Sequence, residues 1–171
     1  MTDTTETTPP ETTAVATATL VAATDADTRD IGRRIGARLC AGDLLILSGP
    51  LGAGKTTLTQ GLAEGLGVRG PITSPTFVIS RIHPALEGGP DLVHADAYRL
   101  GSAAEVDDLD LDATVPSAVT VVEWGEGVAE ELNDDRLWIV LDRRPDDSRT
   151  IRLVGFGDRW SELPIDAGQP E

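Results

Sequence analysis

The stretch "LLILSGPLGAGKTTLTQGL", Leu44 to Leu62, runs from a continuous apolar segment through a glycine-rich loop into a helical pattern. A short apolar run bounded by turn residues is the mark of a strand buried on both faces, so "DLLILSG" reads as one. "KTTLTQGLAEGLG" reads as a helix closing at Gly65–Gly67. Between them, Gly49 to Thr56 satisfies G-x-x-x-x-G-K-[ST] at every position, with the strand and helix that the motif requires on either side. Lys55 is also the only lysine of the chain, every other basic side chain apart from two histidines being arginine.

Each residue type in this loop has a chemical reason. Glycines let the chain curl so that successive N–H groups point at phosphate oxygens, and the helix start adds its partial positive charge. The expected phosphate cradle is Leu51, Gly52, Ala53, Gly54, Lys55, Thr56 and Thr57. Lys55 is a mobile point charge for the β and γ phosphates, a task to which the planar arginine fork is poorly suited. The Thr56 hydroxyl is a ligand for Mg²⁺. The competing reading is a glycine-rich helix cap, which accounts for neither the complete motif nor the solitary lysine. Guanine readers of this class use Asn-Lys-x-Asp; a chain with one lysine, already in the loop, has no such motif, so ATP is the expected nucleotide.

Working outward, "TATLVAA" (Thr17–Ala23) reads as a first strand, followed by a helix capped by Thr24 or Asp25 and closed by Gly42, with Ile31, Ile35 and Leu39 on one stripe. Cys40 continues that pattern and reads as core packing. Downstream, "TFVISRI", "DLVHADAY" and "AVTVVEW" read as strands, with a turn at "LEGGP", an acidic segment from Glu105 to Asp112 and a short helix around Gly127–Leu132. "RLWIVLD" and "RTIRLVGF" read as an antiparallel pair joined at "RRPDDS". The expected fold is therefore α/β and P-loop-like: a mostly parallel central sheet flanked by helices, with antiparallel edge strands. Residues 1–13 are expected to be a disordered tail, 14–157 a single domain, and 158–171 a frayed end that includes Trp160; Trp138 reads as strand packing.

The formal charge of −15, with no basic cluster larger than a pair, excludes a direct, tight grip on nucleic acid. One cysteine excludes an internal disulfide framework. No window approaches a membrane span and the N-terminus has no secretion signal, so a cytoplasmic location is expected.

P-loop chemistry needs an acid at the end of a neighbouring strand. Asp96 in "LVHADAYR" and Glu123 in "VTVVEWGE" both qualify, and position alone does not separate them. Trp124 stands beside Glu123, where an indole either stacks on adenine or packs against the sheet. His94 reads as a core or rim histidine, since no second ligand stands at metal spacing. "TSPTF" (Thr73–Phe77) is read from chemistry alone as a Ser-Pro turn.

Together, "GPLGAGKTT" (Gly49–Thr57), "SPTF" (Ser74–Phe77), "HADAYRL" (His94–Leu100) and "VVEWGE" (Val121–Glu126) resemble, in this order, the TsaE (YjeE) family of small bacterial ATPases. The resemblance spans roughly residues 17 to 155. It implies Mg²⁺-dependent ATP binding and hydrolysis in the making of threonylcarbamoyladenosine beside the tRNA anticodon, together with TsaB and TsaD. It implies that Lys55 binds phosphate, that Thr56 and Glu123 hold Mg²⁺, and that Trp124 stacks on the base. Asp96 and the loop Ser74–Thr76 would serve hydrolysis and coupling, with Thr24 and Arg149 as nucleotide contacts. The acidity of the chain fits a tRNA handled by the partners. Pro50, Ala95 and Ala97 depart from residues common in the family without removing a chemical group. A small-molecule kinase using Arg143, Arg144 and Arg149 as a lid, and a nucleotide-dependent interaction module that hardly turns over, are the alternatives on the same loop.

Overall fold

The structure is a computed structural model that describes residues 14–50, 52–70, 72, 80–96, 115–123 and 134–165. In chain order the elements are β1 (Ala16–Ala22), α1 (Asp25–Gly36), β2 (Leu44–Ser48), α2 (Lys55–Leu66), β3 (Ser80–His83), β4 (Asp91–Asp96), β5 (Ala118–Glu123), β6 (Arg136–Arg143) and β7 (Arg149–Phe156). The strands form one sheet in the order β1-β7-β6-β2-β5-β4-β3. Strands β6, β2, β5 and β4 run parallel, whereas the outer pairings β6–β7, β7–β1 and β4–β3 are antiparallel. The expected architecture is the one observed.

All five residues of β2 and all six of β5 are buried, Ser48, Thr120 and Glu123 included. Alternation divides their side chains between two cores. Leu45, Leu47, Val119 and Val121 join the helices' Ile31, Ile35, Leu58 and Leu62. Leu44, Ile46, Val122 and Trp138 lie in the core on the opposite face. Trp138 is thus a packing residue, and its Nε1–H donates to Ser48 Oγ at 2.6 Å, tying down the last residue before the glycine loop.

Helices α1 and α2 meet backbone to backbone. A Cβ at Gly32 or Gly36 would run into the carbonyl oxygens of Leu58 or Leu62, and one at Gly61 or Gly65 into those of Arg29 or Arg33. Two Gly-x-x-x-Gly pairs therefore interlock. The contact is flanked by an Arg29–Glu64 ion pair on the exposed side.

Three expectations need correction. Helix α1 ends at Gly36, not at Gly42, because Arg38 and Leu39 donate to Ile35 and Gly36 and tighten the chain into turns. Leu39 still reaches the core, but Cys40, one residue further, is exposed. Its N–H donates to Asp43 Oδ2 at 2.8 Å. The third concerns the C-terminal segment: Trp160 is fully buried in a tight turn, Asp158–Trp160, instead of fraying from Asp158. Asp43, itself buried, takes the Arg159 guanidinium at 2.9 and 3.0 Å, and that guanidinium stacks over the Trp160 ring at 4.3 Å. The carboxylate holds the Arg159 guanidinium above its ordinary pKa, the ion pair outweighing burial.

Candidate functional site

The carboxyl ends of β2, β5 and β4 meet at one edge of the sheet, the place where open α/β sheets bind ligands. The loop Gly49–Gly54 leaves β2 there, and Gly54 enters α2 at φ 104°, a conformation that disfavours any side chain. No side chain caps α2, and its first turn holds no acid. The N–H groups at the start of a helix have no partners within it, so this terminus presents donors and positive potential to an anion.

Lys55 is buried, and its ammonium bends back over the loop to donate to the carbonyls of Gly49 at 2.5 Å and Pro50 at 3.2 Å. The ammonium thus lies on the loop's own carbonyls at the start of α2.

Arg149, at the start of β7, lies against this terminus. A Cβ at Gly54 would stand 3.3 Å from Arg149 Cδ and 3.6 Å from Thr28 Cγ2. The buried guanidinium pairs with Asp25 Oδ1 at 3.1 Å and donates to the Asp147 carbonyl at 2.5 Å, while its Nε has no hydrogen-bond partner among the described residues. Asp147 holds a left-handed φ of 68° and also accepts Arg143 on its carboxylate, at 2.6 Å from Nη2. Arg143 Nη1 in turn lies 3.8 Å from the Cβ position of Gly52. Thr24 begins α1 beside this cluster, but its Oγ1 accepts the Asp27 N–H at 3.2 Å and so closes its own helix.

On the other side of β2, Glu123 is in register with Leu47 of β2 and with Asp96 of β4. Both acids therefore stand at the same level of the sheet, on the face that carries α2. Glu123 is buried, and its Oε2 lies 2.6 Å from Nε2 of the fully buried His94. Nearby on β3, burial and then the proximity of His94 hold the His83 imidazole below its ordinary pKa. Asp96 is half-buried at the strand end.

The expected residues Gly52, Ala53, Gly54, Lys55, Thr56, Thr57, Thr24 and Arg149 are thus gathered around one terminus, with Glu123 and Asp96 on adjoining strands. Leu51, Trp124, the loop Thr73–Phe77 and residues 97–114 and 124–133 lie outside the described residues. The Glu123–His94 bond and the Asp25–Arg149 pair were missed. The signal for the first was present: His94 and Asp96 stand two apart on one strand and so share a face. For the second, no local pattern links residues so far apart in sequence.

The donor set fits Mg²⁺. Among the described residues, no group of three or more His, Cys, Asp or Glu side chains is placed to hold a metal. Mg²⁺ does not need one: it takes one or two protein oxygens and fills its remaining positions with water and phosphate. Thr56 and Glu123 are hard oxygen donors of that kind.

The profile of the family described as "Threonylcarbamoyl adenosine biosynthesis protein TsaE" matches residues 22–151. The chain belongs to the TsaE family. A Streptomyces coelicolor TsaE, a tRNA threonylcarbamoyladenosine biosynthesis protein, is 58% identical over 142 residues, covering 80% of this chain and 96% of the relative. The Mycobacterium tuberculosis TsaE is 52% identical, covering 77% and 82%. The crystal structure of Bacillus subtilis YdiB superposes with a TM-score of 0.72 at 35% identity, covering 86% of this chain and 91% of that one. The TsaE assignment places the chain in threonylcarbamoyladenosine biosynthesis, as expected from its motifs. No described helix is long and apolar enough to cross a membrane.

Proposed function

We propose that this protein is a Mg²⁺-dependent ATPase of the cytoplasm that serves threonylcarbamoyladenosine modification of tRNA as a partner of TsaB and TsaD. The observation that carries the reading is the start of α2: uncapped, free of acid in its first turn, and served by a lysine resting on loop carbonyls. The N–H groups of the loop and first turn bind the phosphate chain, and Lys55 transfers its ammonium from Gly49 and Pro50 to the β and γ phosphates. Thr56 and Glu123 would hold the Mg²⁺, which would supply neutralisation of the phosphate charge. Asp96, level with Glu123, orients the attacking water. Arg149, drawn to Gly54 by Asp25 and Asp147, adds positive charge where the nucleotide enters, and Trp124 stacks on its base. The work is positioning and charge neutralisation, with no covalent intermediate on the protein.

The kinase alternative has no observation in its favour. Arg143 and Arg149 are held by Asp147, and Arg144 donates to Thr150, so the three are engaged around their own hairpin instead of reaching towards an acceptor. A chain of charge −15 is suited to binding partner proteins that carry the tRNA. The test is ATP turnover of the purified protein, alone and with TsaB and TsaD, for wild type and Lys55→Ala. We expect slow turnover that rises with the pair, and at least a hundredfold loss of ATP affinity in Lys55→Ala, worth about 2.7 kcal/mol. Turnover indifferent to the pair would refute the coupling, and unchanged affinity in Lys55→Ala would refute the site.

A further inference from the structure

We propose that His94 is a positioning residue for Glu123: it holds one carboxylate oxygen so that the other is presented, in a fixed direction, to the metal. The inference rests on the ATPase reading above. An ionised carboxylate only accepts hydrogen bonds, so the 2.6 Å contact assigns the ring proton of His94 to Nε2, donating to Glu123 Oε2. Both groups are buried, with side-chain exposures of 0% and 5%, so water does not compete for the bond.

The ring's other nitrogen argues that this bond, and not packing, is why a histidine stands here. Nδ1 of His94 is buried with no hydrogen-bond partner among the described residues. Leucine would fill the space without stranding a polar atom, as Leu92 does on the same face of the same strand. Nor is the pair needed to join the strands, since β4 and β5 are already paired from Asp91↔Ala118 to Asp96↔Glu123. The bond's remaining effect is on Glu123 itself. With Oε2 taken, Oε1 is the oxygen left to ligate, and a small octahedral cation is exacting about the direction of such a ligand. Partners of this kind, one step removed from the metal, typically change its affinity by 10- to 100-fold.

The experiment compares His94→Leu, which fills the site without a donor, with His94→Gln, whose amide N–H reaches as far as Nε2. Thermal melting establishes folding. Binding of a fluorescent ATP analogue is measured in EDTA, and Mn²⁺ binding to the ADP-loaded protein is followed by the EPR signal of free Mn²⁺. We expect nucleotide affinity in EDTA within twofold of wild type for both variants, Mn²⁺ affinity about tenfold weaker in His94→Leu, and most of that loss recovered in His94→Gln. A folded His94→Leu with wild-type Mn²⁺ affinity overturns the inference. So does an equal loss of melting temperature and Mn²⁺ affinity in both variants, which would make the pair a structural staple. If His94→Leu does not fold, His94→Asn, whose amide stops short of Glu123, replaces it in the comparison with Gln. A wild-type protein that binds the nucleotide but gains nothing from metal would instead refute the Mg²⁺ reading beneath it.

Discussion

Two helices begin side by side at the functional edge of this molecule, and they finish their N-termini in opposite ways. Helix α1 closes itself. Thr24 accepts from the Asp27 N–H, Asp27 reaches back to the Thr24 N–H, and two acids, Asp25 and Asp27, occupy the first turn. Helix α2 has a glycine in the capping position, no side-chain cap and no acid in its first turn. Capping and first-turn acids each stabilise a helix, so α2 forgoes stability that α1 takes. On the function proposed above the difference has a purpose: donors already satisfied by the chain's own side chains, as in α1, are not available to a phosphate. Arg149 marks the boundary, paired with Asp25 of the closed terminus while lying against Gly54 of the open one.

The comparison depends on the two helices staying in register, which the interlocked glycines enforce. Gly61→Ala is the most damaging way to break it. Alanine is the better helix former by up to about 1 kcal/mol, but here its Cβ meets the Arg29 carbonyl, backbone that cannot swing aside. We expect a net loss of about 2–3 kcal/mol, read from the shift in denaturant midpoint at unchanged slope. A midpoint that rises would mean that the helices are not in backbone contact.

Thr57→Asp attacks the electrostatic half of the contrast, by giving α2 the first-turn acid that α1 has. Helix-dipole physics gives the unliganded protein a gain of about 0.3–1 kcal/mol. The phosphate chain, by contrast, then meets a carboxylate at its cradle, and we expect ATP affinity to fall about tenfold, or about 1.4 kcal/mol. Calorimetric titration with ATP, alongside a melting curve of the unliganded protein, reads both signs. A loss of binding accompanied by a loss of stability would point to local damage instead of charge.

How much of this was legible beforehand depended on how local the signal was. The loop, the strand before it and the helix after it were readable because motif, burial and period all lie within Leu44–Leu62. Glu123 and Asp96 were readable as strand-end acids, yet their common level required the β4–β5 register, which no local pattern states. The glycine contact was written in the chain as Gly32–Gly36 and Gly61–Gly65, but such spacing acquires meaning only when both helices lie on the same face of the sheet. Cys40 and Trp160 were misread for related reasons. Apolar periodicity runs past the true end of α1, and the burial of Trp160 depends on an Arg159–Asp43 clamp spanning most of the chain.

Thr24→Ala makes the smallest change and sharpens the comparison furthest, because Thr24 has two claims on it. As a cap, its hydroxyl is engaged by Asp27, and its removal costs about 1 kcal/mol of stability. As a nucleotide contact, which family resemblance implies, its removal also weakens ATP binding. Thr24→Ser separates the two, since serine caps as well as threonine and keeps the hydroxyl. We expect Thr24→Ala to lose about 1 kcal/mol of stability and Thr24→Ser to lose almost none. Should ATP affinity fall in Thr24→Ala and return in Thr24→Ser, the hydroxyl reaches the nucleotide as well as its own helix. Should affinity hold in both while stability falls in the first, α1 reaches the site without the Thr24 hydroxyl, through the pairing of Asp25 with Arg149 of β7 and the packing of Thr28 on Gly54, and the closed terminus is closed to the ligand too.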